Sequence, residues 1–359
     1  MGRMAIFPPK PQMPAQPAPA HMPASAAAQT LAADDVKQAK ALADRIRARF
    51  SQTLIGQEHL RESLILTMVA GGHILIESVP GLAKTTAAQT LATSVSGTFK
   101  RIQCTPDLMP SDIVGTQVFD FATQKFTTQV GPIHANFVLL DEINRSNAKT
   151  QSAMLEAMAE GASTIGGERI ALPKPFMVIA TQNPIEEEGT FALPEAQMDR
   201  FMMKTVMTYP TADEEKRMLA LLTRRGSDMI DPMQLQGDRL SMRDVEFLRA
   251  AAKRVYVSDA IMQYAVDIAA TSRGAGSHPV QGLGSLVRLG ASPRASIALV
   301  RIGQANALLK GREYVIPEDV KSVVADVLRH RLVLTFEALA DGVTADQVVD
   351  RIVQAVPVP

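Results

Sequence analysis

The stretch ESVPGLAKTT, residues 77–86, follows the apolar run HILI and is answered downstream by FVLLDEINR, residues 137–145. The first reads as a strand, a turn and a helix start, where backbone N–H groups can cradle phosphates. On that reading Ser78, Val79, Pro80, Gly81, Leu82, Ala83, Lys84, Thr85 and Thr86 surround a nucleotide, with Lys84 reaching the β- and γ-phosphates and Thr85 offering its hydroxyl to magnesium. The second reads as a buried strand delivering two carboxylates at its end, Asp141 for a hydrated metal ion and Glu142 to polarise a water. Four apolar residues before two acids also occur in ordinary core strands. The order of the two stretches, their separation and the lysine-threonine pair are what core packing does not produce. The loop departs from the strict G-x-x-x-x-G-K-[ST] pattern at Ser78 and Ala83. Gly81 keeps one permissive position inside the turn, while the Ser78 hydroxyl could either support the loop or crowd it.

Outward from these motifs, strands are expected near 73–77, 99–103, 137–141, 176–181 and 203–207, alternating with helices. That is an α/β fold, a doubly wound and mainly parallel sheet with the nucleotide at the carboxyl ends of its strands. Two segments interrupt the alternation and read as β-hairpins: TQVFDFATQKFTTQV (116–130), turning at ATQK, and STIGGERIALPKPF (163–176), turning at Gly166-Gly167. After Tyr209-Pro210 long helical patterns take over, at 213–223, 242–254, 259–272, 294–310 and 318–329, the last opened by Pro317, Glu318 and Asp319. The glycine-rich 273–293 reads as loop. The expected organisation is a proline- and alanine-rich flexible tail (1–33), a nucleotide-binding core (34–210) and a smaller all-helical lid (211–359).

Composition narrows the function. Of 359 residues 46% are hydrophobic, and 37 Lys plus Arg balance 37 Asp plus Glu. No global basic field attracts nucleic acid. Cys104 is the only cysteine, so no disulfide closes within the chain, and a cytosolic address is expected. No apolar run has the length of a membrane span, so any membrane contact is expected through a partner. The six histidines show no close pairing for a metal cage, and the methionines sit mostly in apolar helical patterns, as core filler.

Six blocks in order carry a family resemblance: LIGQE (54–58), GGHILIESVPGLAKT (71–85), QCTPDLMPSDIVG (103–115), LLDEINR (139–145), IATQNPIEEEGTFALPEAQMDRF (179–201) and GASPRA (290–295). Over roughly residues 35–355 the chain resembles the MoxR-type AAA+ ATPases. In that family alanine before the lysine is usual, whereas Ser78 stands where glycine is normal. The resemblance implies ATP and Mg2+ as cofactors, Gln57 among the nucleotide contacts, Asn183 as first sensor and Arg294 as second. It also implies Arg200 as an arginine finger reaching a neighbouring subunit, for which a salt bridge to Asp199 or Glu195 is the plain alternative. Arg145 is expected near the same interface, and Gln103 as a coupler of Glu142 to client binding. Both hairpins would face a central pore. A homo-oligomeric ring, a hexamer, with partners carrying von Willebrand factor A domains follows by resemblance. Alternatives stay open: a motor subunit like that of magnesium chelatase, a nucleotide-sensing scaffold with weak turnover, or a P-loop small-molecule kinase, which would leave Arg200 and Arg294 without a role.

Overall fold

The computed structural model describes residues 31–79, 81–184, 190–225 and 231–359. Most of the expected tail, and Pro80, lie outside the described residues. Five strands form one parallel sheet: β1 (Ile74–Glu77), β2 (Phe99–Gln103), β5 (Phe137–Asp141), β8 (Met177–Gln182) and β9 (Met203–Val206), in the order β2-β5-β8-β1-β9. All five residues of β5 are buried, as are the first five of β8, because both strands are covered on two faces. Their continuous apolar runs suit that position. β2 sits at an edge and carries Lys100 and Arg101 outward, charges that discourage pairing with another chain.

The two hairpins are present. β3 (Gly115–Asp120) pairs with β4 (Lys125–Val130), and β6 (Ala162–Ile165) pairs with β7 (Glu168–Ala171) across Gly166-Gly167. Gly115 (φ 112°) closes the base of the first, where a β-carbon would meet the Gln129 carbonyl at 2.2 Å. Phe119 stacks edge-to-face on Phe121 and Phe126, each at 5.2 Å, yet Phe121 is 86% and Phe126 67% exposed. Ladder hydrogen bonds and ring contacts hold this hairpin; among the described residues no apolar layer covers it.

The lid is helical with one addition. A short antiparallel pair, β10 (Val287–Leu289) with β11 (Val333–Leu334), closes the far end of the glycine-rich segment. The expected 318–329 helix is two, Pro317–Lys321 and Val324–Leu328. The buried Asn306 amide donates to the Asp319 carbonyl (3.3 Å), and the Val323 N–H turns to Val320 O instead (3.1 Å), tightening the turn and ending the helix. The apolar core does not stop at residue 210. One buried cluster joins the first helix (Ala33–Phe50), the helix after the phosphate loop (Lys84–Ser94) and the lid helices Met242–Arg254, Asp259–Ser272 and Pro293–Leu309. Among the described residues no helix is long and apolar enough to cross a membrane.

Candidate active site

The Lys84–Ser94 helix begins without a side-chain cap, its N-cap being Ala83 at φ 56°. Helices such as Met242–Arg254 and Asp259–Ser272 instead have serine hydroxyls accepting from their first turns. Uncapped N–H groups at a helix start favour an anion. At Gly81 (φ 85°) a β-carbon would find nothing within 4 Å among the described residues, so the turn is uncrowded there. Ala83 holds the left-handed conformation usual for glycine, at a cost of about 1 kcal/mol. Ser78, buried, is not among the positive-φ residues, and its hydroxyl donates to the Val79 carbonyl at 2.9 Å. The buried Lys84 ammonium lies across the loop, 3.4 Å from the Ser78 carbonyl. Leu82 packs against the core, Thr85 and Thr86 occupy the first helical turn, and Pro80 is outside the described residues. These residues fit a nucleoside triphosphate. Gln57 (φ 60°) donates to Thr208 O at 3.0 Å just past the end of β9, on the sheet edge that carries the phosphate loop.

Asp141 ends β5. Its Oδ1 accepts from the Thr181 hydroxyl (2.8 Å), and the same Thr181 Oγ1 accepts from the Glu142 N–H (2.9 Å). Thr181 thus holds both acids in place, and Glu142 sits at φ 58°, a conformation bulky residues keep only where surrounding bonds impose it. Glu142 Oε2 accepts from Gln103 Nε2 (3.0 Å) and lies 3.3 Å from Arg145 Nη1. Arg145, expected near the same subunit interface as Arg200, stands at the carboxyl edge of the sheet, where the short 3-10 turn Ile143–Arg145 folds it back onto Glu142. Arg101 caps the array, with Nε and Nη2 at 3.1 and 2.6 Å from Asp141 Oδ2. Asn183 follows β8 directly and is buried; its carbonyl accepts from Asn144 at 3.4 Å. Cys104 lies next to the array with its thiol pushed up to about 12 by burial, so it is no nucleophile. Arg101 and Thr181 are absent from the sequence-based site. Both become visible only once strand ends are aligned, since Leu140 pairs with Ala180 and Gln103 with Asp141.

Arg200 and Arg294 are elsewhere. β9 runs parallel to β1 with Met203 beside Ile74, so Arg200, three residues earlier, lies at the amino edge of the sheet, opposite the phosphate loop. The length of β1, roughly 13 Å at 3.3 Å per residue, separates the two edges. Arg294 shares a cleft of about 390 Å³ with Arg200, Arg301, Arg331, Asp199 and Gly71. Asp199 is taken by Arg331 (2.8 Å), Arg294 (3.6 Å) and the Ser292 hydroxyl (2.8 Å), and Glu195 by Arg288 (3.2 Å). Among the described residues no carboxylate pairs with Arg200, whose Nη1 donates to Leu155 O at 3.4 Å. The salt-bridge alternative for Arg200 has no partner there.

The model of the ATPase family associated with various cellular activities (AAA) matches residues 73–203, and that of the AAA lid domain matches 284–352. The chain is 45% identical to the chaperone MoxR1 of Mycobacterium tuberculosis, over 85% of this chain and 79% of that one. A crystal structure from Cytophaga hutchinsonii superposes with a TM-score of 0.83 at 38% identity, covering 91% of this chain and 97% of that chain. A chloroplastic magnesium-chelatase subunit of Arabidopsis thaliana, ChlI-1, is 30% identical over 54% of this chain and 42% of its own.

Proposed function

Because the chain belongs to the MoxR family of AAA ATPases, we propose that it hydrolyses ATP to ADP and phosphate as a ring, a hexamer, and thereby remodels or activates protein complexes. Partners with von Willebrand factor A domains belong to this reading. One observation carries it: the phosphate loop and acidic pair stand at one edge of the sheet, while Arg200 and Arg294 share a cleft at the other. Head-to-tail packing would bring one subunit's arginines to the next subunit's loop, a heterologous contact of the kind that closes into a ring.

In such a joint site Lys84 and the loop N–H groups pair with the β- and γ-phosphates. Glu142 polarises the attacking water, and Asn183 hydrogen-bonds that water or the γ-phosphate. Arg200 and Arg294 of the neighbour offset the charge that develops during transfer, an effect worth about 10³ to 10⁵ in rate. Thr85 and Asp141 would hold Mg2+, which would supply charge neutralisation on the phosphate oxygens. The exposed aromatic hairpin, with β6–β7 beside it, is the surface offered to the client in the pore.

A mixing experiment tests this. Arg200→Ala and Lys84→Ala are each expected to be nearly inactive, the first still binding ATP and the second not. Together they should regain activity, since a mixed interface pairs an intact loop with an intact arginine cleft. Full activity of Arg200→Ala alone, or no recovery in mixed assemblies, would overturn the shared site.

A further inference from the structure

Arg101 and Gln103 lie two residues apart on β2 and so share a face of the sheet. One Arg101 nitrogen, Nη2, bridges Asp141 Oδ2 at 2.6 Å and Gln103 Oε1 at 2.9 Å, and the Gln103 Nε2 goes on to Glu142 Oε2 at 3.0 Å. The order of bonds matters. An amide has one accepting oxygen and one donating nitrogen, so a guanidinium on the oxygen obliges the nitrogen to face Glu142. Asp141 is meanwhile engaged at both oxygens: Thr181 donates to one, and two Arg101 nitrogens donate to the other.

We propose that Arg101 is a latch displaced by magnesium: without the metal it closes the Asp141 carboxylate and, through the Gln103 amide, ties Glu142. The proposal rests on the reading of Asp141 as the residue that holds hydrated magnesium. A divalent cation and a guanidinium repel each other at one carboxylate. Arg101 has somewhere to go, because its side chain is 49% exposed on an edge strand. Once it leaves, the Gln103 oxygen loses the guanidinium that set the amide's orientation, and Glu142 keeps Arg145 as its charged neighbour. Metal arrival and release of the catalytic acid become one event. Arg101 is a positioning residue on this account, acting through Asp141 and Gln103.

The test is a magnesium titration of the binding of a fluorescent, non-hydrolysable ATP analogue to the full chain and to Arg101→Met. Removing the competitor should lower the magnesium concentration at half-saturation, on the order of tenfold. Thermal melting gives a second reading: metal-free Arg101→Met should melt below the wild type, having an uncompensated Asp141, and should gain more on adding magnesium with the analogue. Arg101→Lys keeps the charge and loses the bridge, and its half-saturation should fall between the two. An unchanged or weaker magnesium dependence in both variants, with a clear dependence in the wild type, overturns the latch and leaves the metal site intact. Equal analogue binding by the wild type with and without magnesium overturns the metal reading itself, and the latch with it.

Discussion

Ser78 occupies a position where glycine is usual, and its surroundings explain how the loop accommodates a side chain. The residue avoids positive φ, where a β-carbon would be strained, and its hydroxyl is committed to the Val79 carbonyl. The burden falls on Ala83 instead, at φ 56°. Ser78→Gly should therefore change the Michaelis constant for ATP by no more than about fivefold, the loss of one loop hydrogen bond being worth about 1 kcal/mol at most. Steady-state kinetics decide it; a large rise in turnover would mean that the natural loop is impaired. Glu142→Gln should keep nucleotide binding and nearly abolish turnover, since the amide preserves shape and loses the base. Hydrolysis at a wild-type rate would remove Glu142 from the chemistry. At this scale the sequence was informative wherever chemistry is local in the chain: Lys84, Asp141 and Glu142 lie within short motifs that the fold brings to one edge. Arg101 and Thr181 escaped because their meaning depends on which residue each meets across a strand pair.

Strands and hairpins were legible from apolar runs bounded by turns, and the observed sheet strands differ from expectation by at most a residue at their ends. The break near residue 322 was not legible, because its cause is Asn306, on another helix. Element ends also hold the acid-sensitive groups. His73, at the start of β1, accepts the Val178 N–H on Nδ1 at 2.9 Å, so its proton is on Nε2, and burial pulls its pKa from 6.5 down to about 4. Burial likewise holds His330 well below 6.5. A depressed folded value means that the unfolded chain takes up a proton first as pH falls. The stability His73 contributes, about 3 kcal/mol, is complete above about pH 6.5 and is lost as pH falls towards 4, and His330 acts in the same direction. Glu62 acts in the same direction at lower pH, and half-exposed His59, raised by its bond to Asp326, opposes it weakly. Urea midpoints measured between pH 7 and 4.5 should fall, and His73→Gln should flatten the fall. For the aromatic hairpin the expectation is the reverse of a core element. Replacing Phe121 and Phe126 with serine should move stability by about 0.5 kcal/mol or less and leave basal turnover unchanged. A loss of several kcal/mol in urea unfolding would make those rings structural.

For the molecule as a whole, the sheet has two unlike ends, and neither the motifs nor their spacing revealed how far apart they lie. The path of residues 273–293 carries Arg294 to the same end as Arg200, a placement decided by tertiary packing of the lid on the core. Specific activity should rise with protein concentration as rings form, and light scattering on the same samples should show larger assemblies over the same range. Turnover independent of concentration in a demonstrated monomer would contradict the division of parts. That division has a metabolic consequence. On the proposed shared site, a subunit newly released from the ribosome, or stranded after a ring breaks, would carry a phosphate loop without a neighbour's Arg200 and Arg294 to complete it, so surplus copies would hold nucleotide without draining the cell's supply.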